Sequence, residues 1–237
     1  MHSLRVLAGQ PIFIKLAMTL PLRYPVRSFI NLIGVVFSVA ALAILVVGAA
    51  KEASVWHVVS FSIYGVSLVA MWTMSLLYHS LNVSKAANEI LRQIDHAMIY
   101  FLIAGTYTPM CLVVLRGGWG WSLLGINWVL AIAGIVLKLV FKQPPKSVIA
   151  ILFAFYIIMG WLVVVAWSPL VHTLPAGGVF WLISGGIFYT VGAMTLGIKR
   201  LNFSPKFGSH EIWHLFVLAG SFSHFWLMLK YILYINS

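Results

Sequence analysis

Seven apolar segments, each about as long as a lipid bilayer is thick, are the feature that most constrains this chain. A helix that crosses a bilayer needs about 20 mostly apolar residues. Hydrophobic residues make up 62% of the sequence and charged residues 8%, whereas about a quarter of the residues in soluble domains are charged. The sequence therefore predicts an all-α membrane protein, a bundle of seven transmembrane helices at residues 28–50, 55–79, 96–115, 119–141, 147–167, 176–198 and 210–235.

The connections between these segments are short, with one exception. The second connection, "SLNVSKAANEILRQ", is longer, and its pattern predicts a short amphipathic helix at the membrane surface. No change of composition indicates a second domain, so residues 28–237 are predicted to form one transmembrane domain. Residues 1–27 lack a clean apolar core and cleavage site, and are interpreted as a cytoplasmic tail with an interfacial helix as an option for part of it.

The basic residues predict the orientation of the bundle, because loops on the cytoplasmic side of a membrane are enriched in Lys and Arg. The opposite side of the predicted topology has only Lys51, Arg116 and Lys230. The N-terminus is therefore predicted to be cytoplasmic and the C-terminus outside. The net charge of +11 is attributed to contacts with anionic lipid headgroups rather than with nucleic acid, since the basic residues are scattered singly. The side predicted to be cytoplasmic carries Arg5, Lys15, Arg23, Arg27, Lys85, Arg92, Lys142, Lys146, Lys199, Arg200 and Lys206.

Four polar residues, far apart in sequence, are predicted to lie at one membrane depth. His79 ends the second segment, Asp95 precedes the third, and His210 and His214 open the seventh. All four fall at the predicted cytoplasmic face. Ionisable residues inside membrane segments are costly and are usually functional, so this coincidence predicts a common site.

The local spacings predict a metal site of the catalytic kind. His210 and His214 are one helical turn apart, as are Ser75 and His79. Three histidines with an open fourth position are typical of catalytic zinc, so zinc is the predicted cofactor. Asp95 could orient or deprotonate a zinc-bound water, whose pKa the metal lowers to about 7. Asp95 and Ser75, a candidate oxyanion donor, are therefore the predicted catalytic residues.

Three further residues are candidates for a supporting role around the metal. His96 follows Asp95 but points about 100° around the helix, away from ligation. His224 lies about 15 Å deeper than His214 and is expected to hydrogen-bond between helices. Glu211 has the spacing of the catalytic glutamate of H-E-x-x-H proteases, but an acid at a helix start is favoured by the helix dipole anyway. No residues remain to form a soluble peptide-binding cleft, so a protease is excluded.

Several motifs resemble the hemolysin III family of bacterial membrane proteins: "SLLYHSL", "QIDHAMIYFLIAGTYTPMCLVVL", "YIIMGWLVVV", "GGIFYTVGA" and "HEIWHLFVLAGSFSHF". That family is related to the progestin and adipoQ receptors, which include the adiponectin receptors, and more distantly to alkaline ceramidases. The resemblance covers about residues 28–237. It implies a bacterial plasma-membrane protein of seven helices with the N-terminus inside.

For the site, the resemblance implies that His79, His210 and His214 hold zinc, with Ser75 and Asp95 close to the metal. The chain departs from the family in its first segment. Family members commonly have a glutamate and a histidine there, shortly before a glycine. In "YPVRSFINLIG", Asn31 stands where the histidine is expected, and no acid is nearby. This departure weakens any role for the first motif but does not affect the three predicted metal ligands.

Three functions remain open from the sequence. The first is zinc-dependent hydrolysis of a lipid amide or ester at the inner leaflet. The second is a receptor-like sensor or regulator of membrane lipid state, in which zinc is structural and Asp95 is its fourth ligand. The third is a pore-forming, cytolytic hemolysin, although the segments carry no charge near their middle that would suit a constitutive channel or a proton-coupled transporter. Membrane lipids are the expected partners, and the sequence leaves the oligomeric state open.

Overall fold

A computed structural model describes residues 22–141, 145–204 and 207–235, except for the side chains of Lys146 and Lys199. These residues contain eight α-helices. Most of the predicted N-terminal tail lies outside these residues. In the described part of the chain, seven helical spans are long and apolar enough to cross a membrane, which confirms the prediction. The helices are α1 Pro25–Glu52, α2 Val55–Ser80, α3 Lys85–Pro109, α4 Gly118–Val140, α5 Lys146–Trp161, α6 Trp167–Thr173, α7 Ala176–Thr195 and α8 Ser209–Lys230.

The third span begins earlier than predicted. The second connection does not form a separate surface helix, because α3 runs without interruption from Lys85 rather than from residue 96. The hydroxyl of Ser84 caps its start by accepting a hydrogen bond from the backbone N–H of Ala87 (3.3 Å). An ion pair between Glu89 and Arg92 lies along its first turns. These local interactions stabilise a helix whose first part is polar on one face.

The fifth span is longer than predicted. After α5, a 3₁₀ segment at Leu162–Ala166 leads directly into α6, so the span continues to Thr173 rather than ending at residue 167. Pro169 does not prevent this, because it lies in the first turn of α6, where a backbone N–H has no partner within the helix. A π-helical turn, Met110–Val114, likewise extends α3 beyond Pro109.

The core of the bundle is formed mainly by α1, α2, α3 and α8. Of the seven spans, the third is the most buried. α2 packs between α1 and α3, and α8 packs against both α1 and α7. Among the described residues the fifth span packs mainly on α4, and it makes no extensive contact with α7. The largest fully buried core side chains include Leu45, Phe61, Tyr64, Leu68, Trp72, Tyr100 and Met228.

One end of the bundle brings together parts of the chain that are far apart in sequence. At this end α1, α3 and α8 begin and α2 ends; we call it the histidine end. The backbone N–H of Tyr24 donates to the carbonyl of His79 (3.0 Å), which joins the start of α1 to the last turn of α2. An ion pair between Arg27 and Glu211 joins the start of α1 to the start of α8.

Candidate metal centre

Three histidines meet at the histidine end. His79 lies in the last turn of α2, and His210 and His214 lie in the first turns of α8. One nitrogen of each ring lies within 4.8 Å of the corresponding nitrogens of the other two. The ring centroids are 5.0 Å apart for His79 and His210, 5.0 Å for His79 and His214, and 4.9 Å for His210 and His214. The residues that the sequence predicts as metal ligands are thus brought together.

The chemistry of these nitrogens suits a metal ion. His79 and His214 are buried, and both nitrogens of His79 and Nε2 of His214 have no hydrogen-bond partner among the described residues. A buried polar atom without a partner is costly. Zinc–nitrogen distances of about 2.0–2.1 Å at the tetrahedral angle place ligand nitrogens roughly 3.3 Å apart. Small side-chain movements would bring the three nitrogens to that spacing, so the group could hold a metal ion.

Asp95 and Ser75 lie beside each other but outside this group. The Ser75 side chain lies close to the Asp95 carboxylate, and Ser75 is one turn before His79 on α2. Asp95 does not belong to the group of potential metal ligands whose atoms lie within 4.8 Å of one another. That group consists of the three histidines. The arrangement therefore consists of three nitrogen ligands and a separate, largely buried carboxylate.

The two histidines predicted to have a supporting role, His96 and His224, take part in contacts between helices. Nδ1 of His96 lies 2.6 Å from the carbonyl of Arg92 and 3.8 Å from Oδ2 of Asp95. The carbonyl of His96 accepts a hydrogen bond from the hydroxyl of Tyr156 on α5 (3.0 Å). Nε2 of His224 lies 3.4 Å from the carbonyl of Leu182 on α7, so the expected interhelical hydrogen bond is present. Neither histidine belongs to the three-histidine group.

Glu211 anchors the start of α8. Its Oε1 accepts a hydrogen bond from Nε of Arg27 (2.6 Å), and its Oε2 accepts one from the backbone N–H of Gly208 (2.7 Å). The second bond satisfies a donor at the helix start, as the acid of a capping box does. Because both carboxylate oxygens are engaged in this way, Glu211 holds α8 in place and differs from the water-activating glutamate of an H-E-x-x-H protease.

The segment before α1 contributes to the site in a way that its sequence does not reveal. From the sequence, Arg23 and Arg27 are predicted only to be charges that orient the bundle. In the structure, the guanidinium of Arg27 lies over the ring of Tyr24 (4.5 Å to the centroid), and Tyr24 packs edge-on against His79 (5.8 Å between centroids). The sequence does contain one signal for this ion pair. The chain has only four acidic residues, so a buried Glu211 can be expected to pair with a basic residue at the same end of the bundle.

Two buried polar groups without partners lie deeper on α1 and α2. Asn31 is one turn beyond Arg27 on α1 and fully buried, and neither atom of its amide has a partner among the described residues. The indole nitrogen of Trp72 is also buried without a partner. The Trp72 ring lies 6.4 Å from that of His214 and would overlap a Cβ placed on Gly34. Asn31, at which the chain departs from the family pattern, is therefore a buried polar residue of the bundle interior.

Comparison with known proteins finds relatives that cover most of this chain. A family model described as "Haemolysin-III related" matches residues 23–225. "Hemolysin-3" from Bacillus cereus is 44% identical over 201 residues, which cover 85% of this chain and 88% of that protein. "Hemolysin-3 homolog" from Bacillus subtilis (strain 168) is 43% identical over 199 residues, 84% of this chain and 89% of that protein.

A more distant relative comes from an animal. "Monocyte to macrophage differentiation factor" from Homo sapiens is 27% identical over 181 residues, which cover 75% of this chain and 72% of that protein. The match to the family model runs from the segment before α1 into α8. The two bacterial relatives also match over most of this chain. This chain therefore belongs to the haemolysin-III related family of membrane proteins.

Proposed function

We propose that this protein is a zinc-dependent hydrolase of a lipid amide or ester, with its site at the cytoplasmic leaflet of a bacterial plasma membrane. The observation that carries the proposal is the group formed by His79, His210 and His214, whose buried nitrogens lack partners while a carboxylate lies outside the group. The positive-inside bias of the sequence supports a cytoplasmic location for the histidine end.

The ligand set supports a catalytic zinc over a structural one. Imidazole nitrogens suit zinc, and structural zinc is usually closed by four protein ligands, whereas catalytic zinc has three and an open position. Here the group has three members and Asp95 is not among them. A zinc ion held by the three histidines would polarise a substrate carbonyl and lower the pKa of a water molecule.

The residues beside the histidines have distinct parts in hydrolysis. Asp95 accepts a proton from the water molecule that attacks the carbonyl carbon. The bond from that carbon to the amide nitrogen or ester oxygen then breaks, and the proton passes to the leaving amine or alcohol. The Ser75 side chain lies close to Asp95, and its hydroxyl would position that carboxylate by donating a hydrogen bond to it.

Access for a lipid is supported by the packing of the bundle. The fifth span packs mainly on α4, and α7 packs mainly on α8, so the side of the bundle between the fifth span and α7 is not sealed by extensive helix contacts among the described residues. A lipid chain could enter the bundle from the bilayer at such a side without crossing water.

The first experiment measures the metal content of detergent-purified protein. We expect near-stoichiometric zinc in the wild type and its loss in His79→Ala and His214→Ala. His172→Ala is the control, since His172 is exposed on α6 and its Nδ1 lies 2.6 Å from the carbonyl of Ser168 in the same helix. A wild type that neither contains zinc nor gains it on addition would overturn the proposal.

The second experiment separates catalysis from the alternatives. Purified protein is incubated with N-acyl amide lipids and glycerol esters, and the fatty acid released is quantified. Zinc without hydrolysis of any substrate would favour the receptor-like sensor with structural zinc. Release of a trapped dye from liposomes without hydrolysis would favour a cytolytic role, which the name of the Bacillus cereus relative, "Hemolysin-3", suggests for that protein.

A further inference from the structure

Arg23 lies beside the candidate metal centre, and no acidic side chain in the described part of the chain pairs with its positive charge. The chain has four acidic residues. Among the described residues, Glu211 pairs with Arg27, Glu89 pairs with Arg92, and no ion pair includes Arg23. The two remaining acids are elsewhere: Glu52 ends α1 at the opposite end of the bundle, and Asp95 faces Ser75. Residues 1–21 contain no acid that could serve instead.

The guanidinium of Arg23 is held in a fixed place. It lies over the ring of Tyr24 (5.0 Å to the centroid) and over the ring of Tyr78 (5.7 Å). The backbone N–H of Arg23 donates to the carbonyl of Ser80 at the end of α2 (3.3 Å), which ties the segment to the bundle. An arginine stacked between rings in this way presents its N–H groups in a defined direction.

Two hydrogen-bonding groups at this position have no partner. Nη1 of Arg23 and the hydroxyl of Ser80 are both buried and without a hydrogen bond among the described residues. The first turn of α1 contains no acid, and no side chain caps the start of that helix, so the positive end of its dipole adds to the field there. Unpartnered donors, an uncompensated charge and a helix start together favour an oxyanion.

We propose that Arg23 and Ser80 bind the phosphate group of a membrane lipid. The segment lies just before the start of a transmembrane helix, at the depth of lipid headgroups. The binding itself needs no metal and goes beyond the proposed function. Its role in catalysis rests on that function: the rings of Tyr24 and Tyr78 each contact both the guanidinium and His79, so a phosphate at Arg23 places the rest of the lipid next to the histidines. The substrate class is then a phosphate-bearing lipid.

The test is lipid binding to the intact protein in detergent, measured by native mass spectrometry with dioleoyl phosphatidylglycerol. We expect Arg23→Gln to weaken binding by about tenfold and Ser80→Ala by about threefold, since the first removes a positive charge that faces the phosphate and the second removes only a neutral hydrogen-bond donor. Two control variants should leave binding unchanged. Arg116→Gln removes an arginine that lies over the ring of Trp56, and Lys85→Gln removes an exposed charge at the histidine end.

Three outcomes would overturn the proposal. The first is equal binding of phosphatidylglycerol by the wild type, Arg23→Gln and Ser80→Ala. The second is equally tight binding of dioleoylglycerol, which lacks the phosphate. The third is full displacement of the lipid by millimolar inorganic phosphate, which would assign the site to the free anion. Wild-type protein stripped of metal by a chelator should bind phosphatidylglycerol like the untreated protein, so failure of this site and failure of the proposed zinc chemistry are distinguishable.

Discussion

Replacing Glu211 by glutamine tests whether this residue anchors α8 or acts in catalysis. Its side chain is 5% exposed and accepts two short hydrogen bonds, from Arg27 and from the backbone of Gly208. Glutamine has nearly the same shape but only one oxygen. Its NH₂ group must therefore face a donor, either the guanidinium or the backbone N–H, and the negative charge that binds Arg27 is lost.

The expected loss of stability follows from these contacts. A hydrogen bond to a charged group contributes about 1.5–3 kcal/mol, and a buried donor left without a partner costs a similar amount. The Arg27 side chain is 23% exposed, so water screens part of the ion-pair energy. We therefore expect Glu211→Gln to destabilise the protein by about 2–3 kcal/mol, of which about 1.5 kcal/mol is coupling to Arg27.

The assay is a double-mutant cycle on Arg27→Gln, Glu211→Gln and the double variant. Unfolding by a denaturing detergent can be followed by the fluorescence of the ten tryptophans. Glu52→Gln is the control, because Glu52 is exposed at the far end of α1, and surface substitutions usually change stability by less than about 0.5 kcal/mol. Zinc content at saturating zinc should not change, since Glu211 is not a ligand.

Additive effects of the two substitutions would refute the anchoring role, because residues without a shared interaction add within about 0.5 kcal/mol. A Glu211→Gln protein of unchanged stability, full zinc content and no hydrolysis would instead identify Glu211 as a catalytic base, like the glutamate of H-E-x-x-H proteases. The cycle thus separates the two interpretations of one motif.

Two further predictions concern other parts of the bundle. Asp95→Asn should retain zinc but reduce hydrolysis by about 100-fold or more, as expected when a general base is removed; loss of zinc in this variant would show that Asp95 is a ligand. Gly34→Ala should destabilise the protein by about 1–3 kcal/mol in the same unfolding assay, because the new methyl group overlaps the fully buried ring of Trp72. Gly125→Ala is the matched control, since a Cβ there meets no atom within 4 Å, and it should be neutral or stabilising.

The seven spans were predictable because a long apolar run has few alternatives to a membrane helix. Their boundaries were less predictable, and the reason is visible at α3. The residues from Lys85 to Gln93 are polar enough to be assigned to a connection, yet their side-chain contacts continue the helix without a break. Hydropathy detects the part of a helix that lies in the apolar layer of the membrane. It does not distinguish a helix that extends beyond this layer from a loop.

The three histidines were predictable because each lies at the end of a span, and the topology places those ends together. The ion pair between Arg27 and Glu211 was not, because its members are 184 positions apart and neither stands in a local pattern with the other. The unpartnered amide of Asn31 is a similar case. Its importance depends on which helices surround it, and the sequence shows only one polar residue in an apolar segment.

The distribution of charge at the histidine end links the anchor to the metal. Arg23 and Arg27 both lie over the ring of Tyr24, which contacts His79, and a divalent cation at the histidines is repelled by both guanidinium groups. Glu211 compensates only Arg27. Glu211→Gln should therefore weaken zinc affinity several-fold, and the double variant with Arg27→Gln should recover it even though neither residue contacts the metal. Titration of the metal-free protein with zinc checks this, and an affinity in the double variant as low as in Glu211→Gln would show that Glu211 acts through helix position rather than through charge.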